Sequence, residues 1–253
     1  MIKIDELWKG YRLEGSKDEC VFLIHGFSGT AAELYPVGKY LSLRGYSIVA
    51  PQIIGHTRSM EDLKKTDYRD WLESVQEEYR KIRAEFPKVY VLGISMGGAL
   101  ACILEETEKD KPDALVLYEP CLVIKNPFAY LAGFLSLFVK KISWKPMKLP
   151  YDNSQYIQNP RGYYTIELKS LAKLAKLAMK NLKDVKCPFQ CYYSLKDELI
   201  SYRGIKALFK KSSSKDKNLY LLSDSKHMIN VLDDSPKVFL NTYRYLQSLK
   251  IEK

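Results

Sequence analysis

Apolar positions along this chain fall into two alternating rhythms. Residues 20–24 form a continuous apolar run, the pattern of a strand buried on both faces of a mostly parallel sheet, and related runs recur at 46–50, 89–93, 114–118, 189–193 and 219–222. Between them the period becomes helical. Trp71, Val75, Tyr79 and Ile82 recur at helical spacing over 68–85, with Asp67 at the N-cap position and Pro87 beyond the end. Further helices are predicted over 31–44, closed by Gly45 where a left-handed cap belongs, from just past Ser95 to about 109, and over 236–249. Strands that alternate with helices in this way predict an α/β fold with a doubly wound, mostly parallel sheet. The polar stretch 1–19 adds at most an edge strand at 11–13.

The rhythm breaks after Glu119. From 121 to about 186 no strand pattern returns, but Leu168, Leu171, Ala172, Ala175, Ala178, Met179 and Leu182 share one helical arc while Lys169, Lys173, Lys176, Lys180 and Lys183 gather opposite. An insertion between strands of an open sheet emerges where such sheets bind ligands. Residues 121–186 are therefore expected to form a cap or lid over a core made of 1–120 and 187–253.

Composition narrows the picture only modestly. The 253 residues, 46% hydrophobic and 28% charged, suit one globular domain without repeats. The formal charge of +10 comes from lysines spread along the chain, which fits a solvated surface; attraction to an anionic membrane surface or an acidic partner is the alternative. No nucleic-acid-binding module accompanies it. Five cysteines without metal-type spacing, mostly in apolar segments, and charges where a signal peptide needs its apolar core, lead to the expectation of a reducing, cytoplasmic setting. The longest apolar run, 128–139, is too short to span a bilayer.

The chemistry centres on Gly93-Ile94-Ser95-Met96-Gly97. A strand pattern precedes this G-x-S-x-G and a small-residue run that can begin a helix follows, which is the context in which the motif presents a strained, accessible nucleophile. Serine needs a base, and the base needs an orienting acid. His25 and His56 precede Ser95, whereas His227 lies after the last strand, the place of the base in the chain order Ser, acid, His. For the acid, Asp197 follows the strand at 189–193; Glu198 is its neighbour, Glu119 stands at the end of the preceding strand, and Asp224 lies close to His227 in sequence. Backbone N–H groups of Met96 and Phe27 are the candidate oxyanion donors. His25 and His56 are read as braces for their loops.

The motifs HGFSG, GISMGG, the KDELI loop and the SKHM loop resemble the α/β-hydrolase superfamily, most closely its bacterial carboxylesterases and monoacylglycerol-lipase-like serine hydrolases, over about 20–250. The resemblance implies Ser95 as nucleophile, Asp197 as acid, His227 as base and Phe27 and Met96 as oxyanion donors, with no metal or organic cofactor. One departure is Gly55-His56-Thr57, where similar enzymes often carry Gly-His-Gly.

Implied is hydrolysis of short-to-medium acyl esters or monoacylglycerols through an acyl-enzyme; the runners-up are a thioesterase or acyltransferase, a peptidase of the same fold, and a non-catalytic ligand-binding member. Substrate choice is expected in the cap, where Phe128, Tyr130, Leu131, Phe134 and Leu135 lie in an aromatic and aliphatic stretch bounded by Lys140-Lys141 and Trp144. That stretch lines an acyl pocket, touches lipid during substrate entry, or merely seals the cap. The expected partner is a small-molecule or lipid-like ester, with transient membrane-surface contact and without nucleic acid.

Overall fold

A computed structural model describes residues 3–57, 59–143, 155–157 and 162–250; Trp144 lies outside them. The strands in chain order are β1 Gly10–Leu13, β2 Glu19–Ile24, β3 Ser47–Pro51, β4 Lys88–Ile94, β5 Ala114–Tyr118, β6 Lys141–Ser143, β7 Gly162–Tyr164, β8 Phe189–Ser194 and β9 Lys217–Leu222. The helices are α1 Ile4–Leu7, α2 Tyr35–Ser42, α3 Met60–Lys64, α4 Tyr68–Glu85, α5 Met96–Thr107, α6 Ala132–Leu135, α7 Thr165–Ala178, α8 Tyr202–Lys211 and α9 Ser235–Ser248. Seven strands form one sheet in the order β1-β3-β2-β4-β5-β8-β9, in which β1 pairs antiparallel with β3 and every other pairing is parallel. This is the doubly wound α/β sheet expected.

The apolar runs became the central strands because helices cover both faces. One core layer joins Trp71, Val75, Tyr79 and Ile82 of α4 to α5 and to Phe22, Val91 and Leu117 of the sheet. The opposite layer joins Val37 and Leu41 of α2 and Val238 and Leu246 of α9 to Val21, Leu92 and Val116. Burying each such side chain contributes about 1.5–3 kcal/mol, so neither face can be left open. Edge strand β9 instead alternates half-buried and exposed positions over its first four residues. The chain crosses from β3 to β4 over β2, so the C-terminal ends of β2 and β4 flank a switch point, the crevice where open sheets bind ligands.

Two expectations need correction. The helix predicted over 31–44 begins as a 3₁₀ turn, Ala31–Leu34, before α2. The stretch 121–186, read as free of strands, contains the antiparallel pair β6 and β7. Each of its strands is three residues long and β6 is exposed throughout, so no alternation or apolar run marks them. In α7 the lysine arc behaves as predicted, with Lys173 and Lys176 exposed, while Leu171, Leu174, Ala175 and Ala178 join the core layer built on α5. Leu168 is only half-buried. The start of 121–186 is also tied down: Ile124 bridges to Ile200, and the Ser201 N–H donates to Val123 O at 2.8 Å.

Candidate active site

Ser95 sits between β4 and α5 with φ 52° and ψ −114°, a left-handed conformation for a non-glycine residue. Such strain costs about 1–3 kcal/mol and persists only where neighbours enforce it. Here the Ser95 N–H donates to Tyr118 O at 2.8 Å, and the Ser95 carbonyl accepts from Cys121 N at 2.8 Å and Ala99 N at 3.2 Å. The flanking glycines allow the turn to close. A Cβ on Gly93 would stand 2.2 Å from Gly97 O, and one on Gly97 would stand 2.0 Å from Ile24 O. The G-x-S-x-G spacing is thus a consequence of backbones in contact.

Asp197 and His227 meet beside the same sheet edge. Asp197 follows β8 and is buried; its Oδ2 lies 2.7 Å from His227 Nδ1, whose side chain is 12% exposed. Asp197 Oδ1 accepts the N–H groups of Leu199 at 2.7 Å and Ile200 at 2.9 Å. Burial pushes the Asp197 pKa up, but the bond and charge of His227, with further hydrogen bonds, hold it below the ordinary value. The His227 loop is fixed by Ser225, whose N–H donates to Asp234 Oδ2 at 2.8 Å and whose carbonyl accepts the Ser194 hydroxyl. The other acids considered fall elsewhere. Glu198 is exposed and pairs with Lys226 at 3.2 Å, and Asp224 is exposed in its loop. Glu119 is buried, with a carboxyl oxygen within 4.8 Å of donor atoms of both Asp197 and His227.

The β2 loop supplies the opposite wall. A Cβ on Gly26 would come within 3.6 Å of Ser95 Cβ, which places the loop carrying Phe27 directly against Ser95. Met96 opens α5. His25 is fully buried; Ile53 N–H donates to its Nε2 at 3.0 Å and its Nδ1 faces Gly26 O at 2.9 Å, so it braces the loop, and burial lowers its pKa to about 4. His56 is buried edge-on to His25 and Trp71, in a turn with Gly55 at φ +77°. Burial holds both histidines neutral, and neither is placed as the base.

Two neighbours were not singled out from the sequence. Glu33 is buried and accepts the Gly26 N–H at 2.5 Å; burial raises its pKa to about 7 against the pull of that N–H and of His227. Tyr163 of β7 packs edge-on against Phe27 with ring centroids 5.6 Å apart, joining the inserted segment to this loop. No sequence periodicity marks either, although the spacing of Glu33 from HGFSG is one helical turn past the loop.

The cap residues expected to contact substrate are placed less compactly. Phe128, Leu131 and Phe134 are each more than half exposed, and Leu135 is half-buried. The Tyr130 hydroxyl accepts the Ile124 N–H at 2.9 Å. Tyr130, Leu131 and Phe134 line a pocket of about 240 Å³ with Lys169, Lys173 and Lys176. A larger groove of about 710 Å³ runs along β1 and α4 and includes none of Ser95, Asp197 and His227. Among the described residues no helix is long and apolar enough to cross a membrane.

Comparison with known proteins agrees with this architecture. The chain is 27% identical over 223 residues to a thermostable monoacylglycerol lipase of Bacillus sp. (strain H-257), covering 86% of each chain. It is 27% identical over 236 residues to a carboxylesterase of Bacillus subtilis (strain 168), covering 92% of this chain and 94% of that one. A solved structure described as a metagenome-derived lipolytic enzyme superposes with a TM-score of 0.88 at 17% identity, over 96% of this chain and 98% of the other, which establishes the α/β-hydrolase fold. The model of one hydrolase family, described as serine aminopeptidase S33, matches residues 15–233, and the chain belongs to that family.

Proposed function

We propose that this protein is a carboxylic ester hydrolase that works through an acyl-enzyme on Ser95. One observation carries the reading: His227 Nδ1 lies 2.7 Å from the buried Asp197 Oδ2, at the sheet edge where Ser95 is held in a left-handed turn. In the proposed reaction Ser95 Oγ attacks the ester carbonyl and His227 Nε2 takes its proton. Asp197 holds the Nδ1–H and stabilises the imidazolium. The N–H groups of Phe27 and Met96 receive the developing oxyanion, each worth about 2.7–4 kcal/mol in the transition state. The alcohol leaves with the proton from His227, and water repeats the sequence to release the acid. The cycle needs no metal or organic cofactor.

For substrate we infer short-to-medium acyl esters or monoacylglycerols, in line with the names of the two Bacillus relatives. Residues 121–186 serve as the cap in this reading, with Tyr163 against Phe27 as one of its contacts with the site. The exposed stretch of Phe128, Leu131, Phe134, Leu137 and Phe138, next to Lys140 and Lys141, suits transient contact with an anionic lipid surface during substrate entry. Five free cysteines fit a cytoplasmic location.

The family description favours a second reading, removal of N-terminal residues from peptides. Initial rates on p-nitrophenyl esters from acetyl to palmitoyl, beside monoacylglycerols and aminoacyl p-nitroanilides, separate the two. Ester turnover peaking at short or middle chains is expected. Cleavage of the anilides with inert esters would move the assignment to a peptidase.

A further inference from the structure

Behind Asp197 lies a second carboxyl group that the acyl-transfer steps leave unused. Glu119 directly follows β5 and is completely buried, with a left-handed φ of 47°. Two hydrogen bonds to β8 impose that conformation: its N–H donates to Tyr192 O at 3.0 Å, and its Oε1 accepts the Ser194 N–H at 2.5 Å. Its Oε2 is buried, and no N–H or O–H group of the described residues reaches it. What the carboxyl does meet is the carboxyl of Asp197, an oxygen of each lying within 4.8 Å of the other.

Asp197 is held as the anion by three donors, His227 Nδ1, Leu199 N and Ile200 N, and a carboxylate has room for a fourth. Two carboxylates in buried contact cannot both ionise. The nearby Lys125 ammonium donates to the Asp197 main-chain carbonyl at 3.1 Å and, among the described residues, forms no ion pair with either carboxyl. We infer that Glu119 is a positioning residue that remains an un-ionised carboxylic acid and donates its proton to Asp197, fixing the carboxylate that orients His227.

The titratable neighbours agree with this arrangement. Burial first, and the Asp197 charge second, push the Glu119 pKa up to about 11. Cys191 and Tyr193 on β8 and Cys121 also face this pair, and burial, the largest influence on each, raises all three pKa values, so none supplies a competing charge. The donated hydrogen bond draws electron density from Asp197 and moderates its pull on the His227 proton. Without it the Asp197–His227 pair would bind a proton more tightly, and the neutral base would appear only at higher pH. Glu119, Asp197 and His227 also have the spacing of a cation site, but a cation would require Glu119 to be ionised.

The inference rests on the proposed roles of Asp197 and His227, yet part of its test does not depend on activity. Infrared difference spectra of the native enzyme against Glu119→Gln are expected to contain the carbonyl stretch of an un-ionised carboxylic acid, above the amide band, from about pH 6 to about pH 9. Kinetics supplies the second arm. Glu119→Leu removes a hydrogen bond to a charged group and is expected to lower kcat/KM by about 10- to 100-fold and to move its acidic limb upward. Glu119→Gln offers Asp197 an N–H and Ser194 a carbonyl, and is expected to recover most of that loss with the limb back in place. Absence of the acid band, a Gln variant as impaired as Leu, or activity abolished by a chelator and restored by a divalent cation would overturn the inference. Should Glu119→Leu fail to fold, the band and the Gln variant still decide. A fluorophosphonate that labels Ser95 while the band is absent would defeat only the Glu119 inference; an acid band with no labelling would defeat the serine hydrolase reading instead.

Discussion

At Ser95 the functional geometry depends on atoms that are missing from its neighbours. Because a Cβ on Gly97 would overlap Ile24 O and one on Gly93 would overlap Gly97 O, Gly97→Ala should cost more than about 2 kcal/mol in thermal unfolding and nearly all activity. An alanine variant with native stability would show that the turn does not need the close approach. Asp197→Asn should keep the fold while kcat drops about 10³- to 10⁴-fold, through loss of the His227 tautomer and of imidazolium stabilisation. Glu33 leads to a prediction of opposite character. Burial raises its pKa in the folded state to about 7, so between the unfolded value, about 4.3, and 7 the folded protein binds the extra proton and Glu33's contribution to stability falls as pH rises. At pH 8 the ionised group costs up to about 4 kcal/mol, and Glu33→Gln should gain relative to native protein between pH 5 and pH 8. A difference that shrinks over that range would contradict it. The turn at Ser95 and the pairing of His227 with Asp197 were legible because both are tied to strand ends and chain order. Glu33 was not, and the burial of Glu119 was not, because a buried acid and a solvated one look the same in sequence and only packing tells them apart.

Among the elements, α7 shows how far a pattern can be read. Its lysine arc and small-residue arc marked an amphipathic helix, but not which surface would receive the apolar side. In the fold, Leu171, Leu174, Ala175 and Ala178 continue the layer of α5, so this part of the inserted segment belongs structurally to the core. Leu174→Ala should therefore destabilise the whole protein by about 2–5 kcal/mol, measured by denaturant unfolding as a shift of a single transition. A loss confined to ester kinetics, with unchanged stability, would make α7 an independently moving lid. The β-strands were readable for the reason that the parallel sheet buries both faces of β2, β4, β5 and β8. The pairing of β6 with β7 was not, since strands of three residues, β6 exposed throughout, are too short to record an alternation. Helix α8 also went unread; the stretch after Ile200 carries lysines and a glycine that resemble a loop, although Ile205 and Leu208 anchor it in the core.

At the scale of the whole molecule, the proposed lipid contact draws on both charge and exposed apolar surface. A formal charge of +10 would hold the protein near an anionic surface, and Phe128, Leu131, Phe134, Leu137, Phe138 and Val139, from 48% to 74% exposed, would give that encounter an apolar contact. Sedimentation with anionic vesicles should weaken as salt is raised, and Phe134→Ser with Phe138→Ser should weaken it further without lowering turnover of a water-soluble acetyl ester. Binding that ignores both salt and substitution would rule out the lipid contact. The account as a whole depends on one residue forming a covalent bond. Intact-protein mass spectrometry after treatment with a fluorophosphonate tests it most directly, followed by peptide mapping and by the same treatment of Ser95→Ala. The account predicts one adduct per chain, on Ser95, absent from the variant; an unmodified native protein, or an adduct on another residue, would contradict it.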